Sequence, residues 1–122
     1  MLTPTVYDAN CPTRQVLDRI ADKWTVLVLG LLVSGPVRFN RLRRAIDGLS
    51  QKMLSQTLKN LERDGLVHRE AKATVPVTVE YSITPLGRTL AETVGAIKIW
   101  AETHIGDVEK AQRRYDKNSH HS

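Results

Sequence analysis

The chain has 122 residues, with 18 Lys and Arg against 13 Asp and Glu, a formal net charge of +5 and 41% hydrophobic residues. That is one domain's length of ordinary globular composition, with no apolar run near the roughly 20 residues of a membrane span and no signal-peptide pattern, so the chain reads as cytoplasmic with no membrane partner. A single cysteine, Cys11, excludes an intramolecular disulfide and a multi-cysteine metal site, and the Gly-x-Ser-x-Gly, His-Glu-x-x-His and Walker strings are absent, so no enzyme, cofactor or metal is expected.

Pro12 suits the first position of a helix, and Val16, Leu17 and Ile20 follow at helical spacing, which predicts a helix over 12–22. The uncharged stretch from Trp24 to Val33, stopped by Ser34-Gly35-Pro36, predicts a buried central helix. A buried strand would satisfy the same run, but no alternating partner lies nearby.

Phe39, Leu42 and Ile46, interleaved with arginines, make a short amphipathic helix that Asp47-Gly48 ends. Ser50 is a good N-cap for a fourth helix to about Asp64, with Leu54, Leu58 and Leu61 as its apolar stripe and Gly65 at the left-handed position beyond its C-terminus. Lys52, Gln56, Lys59 and Arg63 fall opposite those leucines, flanked by Ser55 and Asn60.

After Gly65 the period drops to two: Leu66 to Lys72 and Val75 to Ile83 read as a β-hairpin, with Val77, Val79, Tyr81 and Ile83 on one side. Pro76 limits ladder pairing near the tip. Thr84-Pro85 then reads as N-cap and first residue of a last helix to about Tyr115, whose stripe of Leu86, Leu90, Val94, Ile97, Ala101 and Ile105 is longer than one small core can cover. We expect one domain over residues 1–116 and a disordered tail over 117–122, whose paired histidines receive no metal role.

The charge is concentrated. Between Arg38 and Lys59 stand Arg38, Arg41, Arg43, Arg44, Lys52 and Lys59 against Asp47 alone, so the whole excess lies there and the other hundred residues are neutral. A solvated charged face is the bland meaning of such a run; phosphate neutralisation is the functional one. Three helices and a hairpin, with a basic helix leading into a polar-faced one, are the order of a winged helix-turn-helix, which favours the second meaning. Candidate DNA contacts are Arg38, Arg41, Arg43 and Arg44 for phosphates, Ser50, Gln51, Lys52, Ser55, Gln56 and Lys59 on the polar-faced helix, and Lys72 and Thr74 near the hairpin tip.

The strings Ile20-Ala-Asp-Lys-Trp24, Leu32-Val-Ser-Gly-Pro-Val-Arg-Phe39, Gly48-Leu-Ser-Gln-Lys-Met-Leu-Ser-Gln-Thr-Leu58, Leu61-Glu-Arg-Asp-Gly-Leu-Val67 and Glu80-Tyr-Ser-Ile-Thr-Pro-Leu-Gly87 resemble the HxlR-type winged-helix transcriptional regulators of bacteria, relatives of the MarR repressors. The resemblance runs from Cys11 to about Trp100. It implies an α+β, mainly helical winged helix-turn-helix with a two-stranded wing and a long C-terminal dimerisation helix, acting as a homodimeric repressor on a palindromic operator. It further implies that residues 50–63 form the recognition helix and that the N-terminal segment and last helix form the dimer interface. Leu90, Val94, Ile97 and Trp100 are the interface candidates, with core packing an open alternative for each.

Several regulators of this type sense quinones, aldehydes or oxidants through a cysteine at the position of Cys11, which makes Cys11 a candidate redox or electrophile sensor. The helix N-terminus and nearby Arg14 would favour its thiolate; a small buried hydrophobe is the alternative reading. Lacking a second cysteine, the chain could form only a Cys11-to-Cys11 bridge between subunits, a mixed disulfide or an adduct. A winged-helix protein-interaction module without specific DNA binding is the rival class.

Overall fold

In the computed structural model, which describes residue 7 and residues 10–119, helices α1 (Pro12–Ala21) and α2 (Lys23–Leu32) meet at Asp22. Asp22 closes one helix and opens the other: its N–H donates to the Arg19 carbonyl, and its carboxylate accepts from Trp24 N at 2.9 Å. The expected first helix therefore stops one residue early. The uncharged run is helical as expected, but it is buried on one side only. Thr25, Val28, Leu29 and Leu32 lie inside, while Leu27, Leu31 and Val33 are exposed.

A short strand β1 (Val37–Arg38) leads into α3 (Phe39–Ala45), and Gly48 takes a φ of +79° in the turn to α4 (Gln51–Arg63). Ser50 caps α4, its hydroxyl oxygen accepting from Met53 N at 3.1 Å. The far end closes on Gly65, at φ +77°, where Leu66 N donates to the Leu61 carbonyl and Gly65 N to that of Glu62. This double bond pattern satisfies two carbonyls the helix would leave open, and it needs the left-handed residue that only glycine adopts cheaply.

Strands β2 (Val67–Lys72) and β3 (Thr78–Ile83) form the hairpin, in the register Val67 with Ile83, Arg69 with Tyr81 and Lys72 with Thr78. The second strand begins three residues later than expected, because Val75 to Val77 belong to the tip around Pro76. The sheet has three strands, not two: β1 pairs with the other edge of β3, giving the order β1-β3-β2. Leu42, Leu54, Leu58 and Leu61 pack with the buried side of α2 and with Leu66, Val67 and Tyr81 into one core.

Helix α5 (Pro85–Ser119) runs 35 residues, about 52 Å at 1.5 Å per residue. Thr84 starts it, accepting from Gly87 N at 3.0 Å and donating to the Gly65 carbonyl at 2.6 Å. Residues 117–119, expected in a disordered tail, are the last turn of this helix; residues 120–122 lie outside the described ones. Beyond Val94 the helix leaves the core, and Ile97, Ile99, Trp100, Ile105 and Tyr115 are exposed. No helix among the described residues is long and apolar enough to cross a membrane.

Candidate nucleic-acid interface

Helix α4 divides by amphipathicity. Leu54, Thr57, Leu58 and Leu61 hold it in the core, which leaves Gln51, Lys52, Gln56, Lys59 and Arg63 exposed in one band, with Ser55 half-buried at its margin. Met53 is exposed as well and was not anticipated as part of this surface. Because the leucines fix the rotation of the helix, the polar band is presented in one orientation. The donors and acceptors are of the kinds that read base edges.

Several polar side chains are already ordered. Arg43 Nη1 donates to Gln51 Oε1 at 3.3 Å, joining the end of α3 to the first turn of α4. Gln56 Nε2 donates to Asn60 Oδ1 at 3.2 Å, which leaves the Gln56 carbonyl oxygen and its second N–H for an outside partner. Arg38 precedes α3, and Arg41, Arg43 and Arg44 project from its exposed sides around buried Leu42.

The two wing candidates are differently placed. Lys72 Nζ lies 3.3 Å from Glu80 Oε1, so part of its charge is balanced within the hairpin. The Thr74 hydroxyl donates to the Pro76 carbonyl at 2.7 Å and lies 3.2 Å from Thr78 Oγ1, which closes the tip instead of leaving that oxygen exposed to a ligand. Arg69 was missed by the sequence reading. It lines a cleft of about 840 Å³ between α3 and the wing, together with Arg38, Arg41 and Arg44. Strand alternation from Val67 would have placed it on the inner face.

No cation between Arg38 and Lys59 makes an ion pair among the described residues, whereas Arg19, Lys72, Lys98 and Arg113 each have an acidic partner. A cluster of uncompensated positive charge around one exposed helix is suited to a polyanion.

Of the four expected interface residues, Val94 is 1% exposed within its own chain and packs in the core, so its side chain has no surface to offer a second subunit. Leu90 is half-buried against that core. Ile97 and Trp100 are exposed, and the Trp100 ring lies 5.0 Å from that of His104. Cys11 is 3% exposed, at the N-cap position of α1. Arg14 turns toward the N-terminal segment, where Nη1 donates to the Tyr7 carbonyl at 3.1 Å. Among the described residues no group of three His, Cys, Asp or Glu could hold a metal ion.

Comparison with known proteins gives a consistent picture. A family model described as HxlR-like helix-turn-helix matches residues 19–109. The HTH-type transcriptional regulator YtfH of Escherichia coli (strain K12) is 45% identical over 103 residues, which cover 84% of this chain and 82% of that one. A solved structure of the transcriptional regulator ytfH from Salmonella typhimurium superposes with a TM-score of 0.83 at 42% identity, covering 90% of this chain and 97% of the other. The redox regulator HypR in its reduced form superposes with a TM-score of 0.74 at 40% identity, covering 81% and 98%.

Proposed function

Because the chain belongs to the HxlR-like helix-turn-helix family, transcriptional regulators and not enzymes, we propose that it is a homodimeric repressor that binds a palindromic operator with α4 in the major groove. The observation that carries this reading is the unpaired positive charge around α4, six cations and one acid between Arg38 and Lys59. Gln51, Lys52, Ser55 and Gln56 read base edges, with Ser50 capping the helix they stand on. Arg38, Arg41, Arg43, Arg44 and Lys59 hold the backbone. Lys72 adds a phosphate contact from the wing, and Thr74 shapes the tip that carries it.

Helix α5 supports the dimer reading. An exposed apolar surface bearing Ile97 and Trp100, on a helix that extends past its own core, supports a subunit contact there, which a second copy would cover with two-fold symmetry. The dimer sets the spacing of the two α4 helices, about 34 Å for one turn of DNA.

Cys11 is the proposed sensor of an oxidant or electrophile. The resemblance to HypR, a redox regulator, supports this role. A thiol that is 3% exposed cannot accept a bulky group where it stands, so modification has to displace the start of α1. The test is a titration of labelled DNA from the gene's upstream region, at two salt concentrations, with and without diamide. Specific, salt-sensitive binding lost on oxidation in wild type but retained in Cys11→Ser is the expected result. Binding indifferent to diamide would remove Cys11 from the mechanism, and no preference for any sequence would favour a protein-interaction module.

A further inference from the structure

Every exposed position of α4 carries a polar side chain except one. Gln51, Lys52, Gln56, Lys59, Glu62 and Arg63 are exposed and polar, and Met53 stands among them at 40% exposure. The core does not use it: Met53 is neither one of the buried residues nor one of the partly buried hydrophobics packed against them. An isolated hydrophobic on a surface is ordinary. Its place sets this one apart. Met53 is the third residue of α4, in the turn that leads a recognition helix into a major groove. Its N–H donates to Ser50 Oγ at 3.1 Å, so the backbone that carries the side chain is held at the start of the helix.

Helical geometry gives Met53 two polar neighbours. At about 100° per residue, Gln56 stands about 60° and Asn60 about 20° around the helix from it, so the three form one row along a flank of the exposed band. The bond from Gln56 Nε2 to Asn60 Oδ1, 3.2 Å long, leaves Gln56 with one free N–H and a free carbonyl oxygen. That pair complements adenine, whose N7 accepts and whose N6 amino group donates. The base opposite adenine is thymine, and its C5-methyl is the one apolar group that an unmodified base pair presents in the major groove. An apolar side chain carried into the groove beside Gln56 strips water from base-edge donors and acceptors that it cannot satisfy, unless it meets that methyl. The unbranched, polarizable thioether adapts readily to such a contact.

We infer that Met53 is a specificity-determining residue that reads a thymine through its C5-methyl group, in or next to the A·T pair engaged by Gln56. This rests on the DNA-binding reading above and adds a base to it. The polar residues of α4 select by hydrogen bonds, whereas Met53 selects by taking a methyl group out of water. Uracil pairs as thymine does and lacks only that methyl, so at this position it is bound less tightly.

The experiment measures binding of wild type, Met53→Ala and Met53→Gln to upstream DNA amplified with either thymidine or deoxyuridine triphosphate, so that the two duplexes differ in the C5-methyl groups alone. Thermal melts confirm that each variant folds. Wild type should bind the uracil duplex about fourfold more weakly for each methyl that Met53 loses, and roughly tenfold or more where two subunits each read one. Both variants should bind the thymine duplex more weakly by a similar factor and bind the two duplexes nearly alike. A third duplex carries 5-methylcytosine in place of cytosine. Wild type that binds the thymine and uracil duplexes alike would overturn the inference. So would an equal uracil penalty in wild type and both variants, because the methyls would then act through duplex shape or another side chain. A gain on the 5-methylcytosine duplex in wild type alone, with no uracil penalty, overturns the assignment to thymine and gives the methyl to cytosine. Wild type with no preference for upstream DNA over unrelated duplex sinks the regulator reading and this one together, whereas sequence-specific binding indifferent to uracil sinks only this role of Met53.

Discussion

Arg19 Nε donates to Asp64 Oδ2 at 2.8 Å, tying α1 to the residue that caps the C-terminal end of α4. Forty-five residues separate the two in sequence. The helix that begins at Cys11 is thus attached to the helix proposed to read DNA. Both side chains are partly exposed, at 26% and 33%, so water screens the pair and its value is at the modest end, about 0.5 to 1 kcal/mol. Urea unfolding of wild type, Arg19→Ala, Asp64→Ala and the double variant should return a coupling in that range. A coupling indistinguishable from zero would mean that the two helices are held together by apolar contacts alone.

Gln56 and Arg41 are expected to fail differently. Gln56→Ala should cost about 1 to 3 kcal/mol on the proper operator and relax preference at particular base pairs. Arg41→Ala should weaken all sequences alike. Competition binding against operators with single base changes distinguishes them, and normal operator binding by Gln56→Ala would mean that the reading face of α4 is misassigned.

Val94 and Trp100 stand six residues apart on α5 and should affect different equilibria. Val94 is fully enclosed, and removing two of its methyl groups should lower the unfolding free energy by about 2 kcal/mol. Trp100 is 59% exposed, so Trp100→Ala should leave the fold intact and raise the dimer dissociation constant at least tenfold, about 1.4 kcal/mol. Sedimentation equilibrium with chemical denaturation checks both. An unchanged dissociation constant in Trp100→Ala would move the subunit contact elsewhere.

Gly87 lies in the first turn of α5, where a Cβ would overlap the Leu66 carbonyl oxygen and come 2.8 Å from Ile83 Cγ1. Alanine normally gains about 1 kcal/mol over glycine inside a helix. Here the overlap involves backbone that cannot step aside, and forced overpacking costs about 1 to 3 kcal/mol, so it should win. Gly87→Ala is expected to lower the melting temperature, while Gly106→Ala, with open space around it, should raise it slightly.

Much of this protein was legible from local chemistry. Ser50, Gly65 and Thr84 set helix ends through hydrogen bonds to residues a few positions away, so their roles follow from neighbours in the chain. The change of period after Gly65 announces the hairpin for the same reason, and the charge between Arg38 and Lys59 is a matter of composition. Strand β1 escaped because two residues, Val37 and Arg38, carry no periodicity of their own; only pairing with Glu80 and Tyr81 makes them a strand. The last helix reads as one stripe from Leu86 to Ile105, and nothing along that stripe says where the core ends.

Only tertiary structure decides such boundaries, because burial depends on which elements cross. Packing encloses Val94 and leaves Ile97, one turn further along, on the surface. It brings Arg69 to Arg41 and Arg44 across one cleft: alternation along the strand puts the arginine on the face of Val67, but only the packing of α3 against the sheet decides what that face meets. It also joins Arg19 to Asp64. Sequence by itself determined the helices, the hairpin, the family and the basic segment, all of which depend on residues close together in the chain. The arrangement of charges in space, and the division of α5 between core and exposed surface, required the fold.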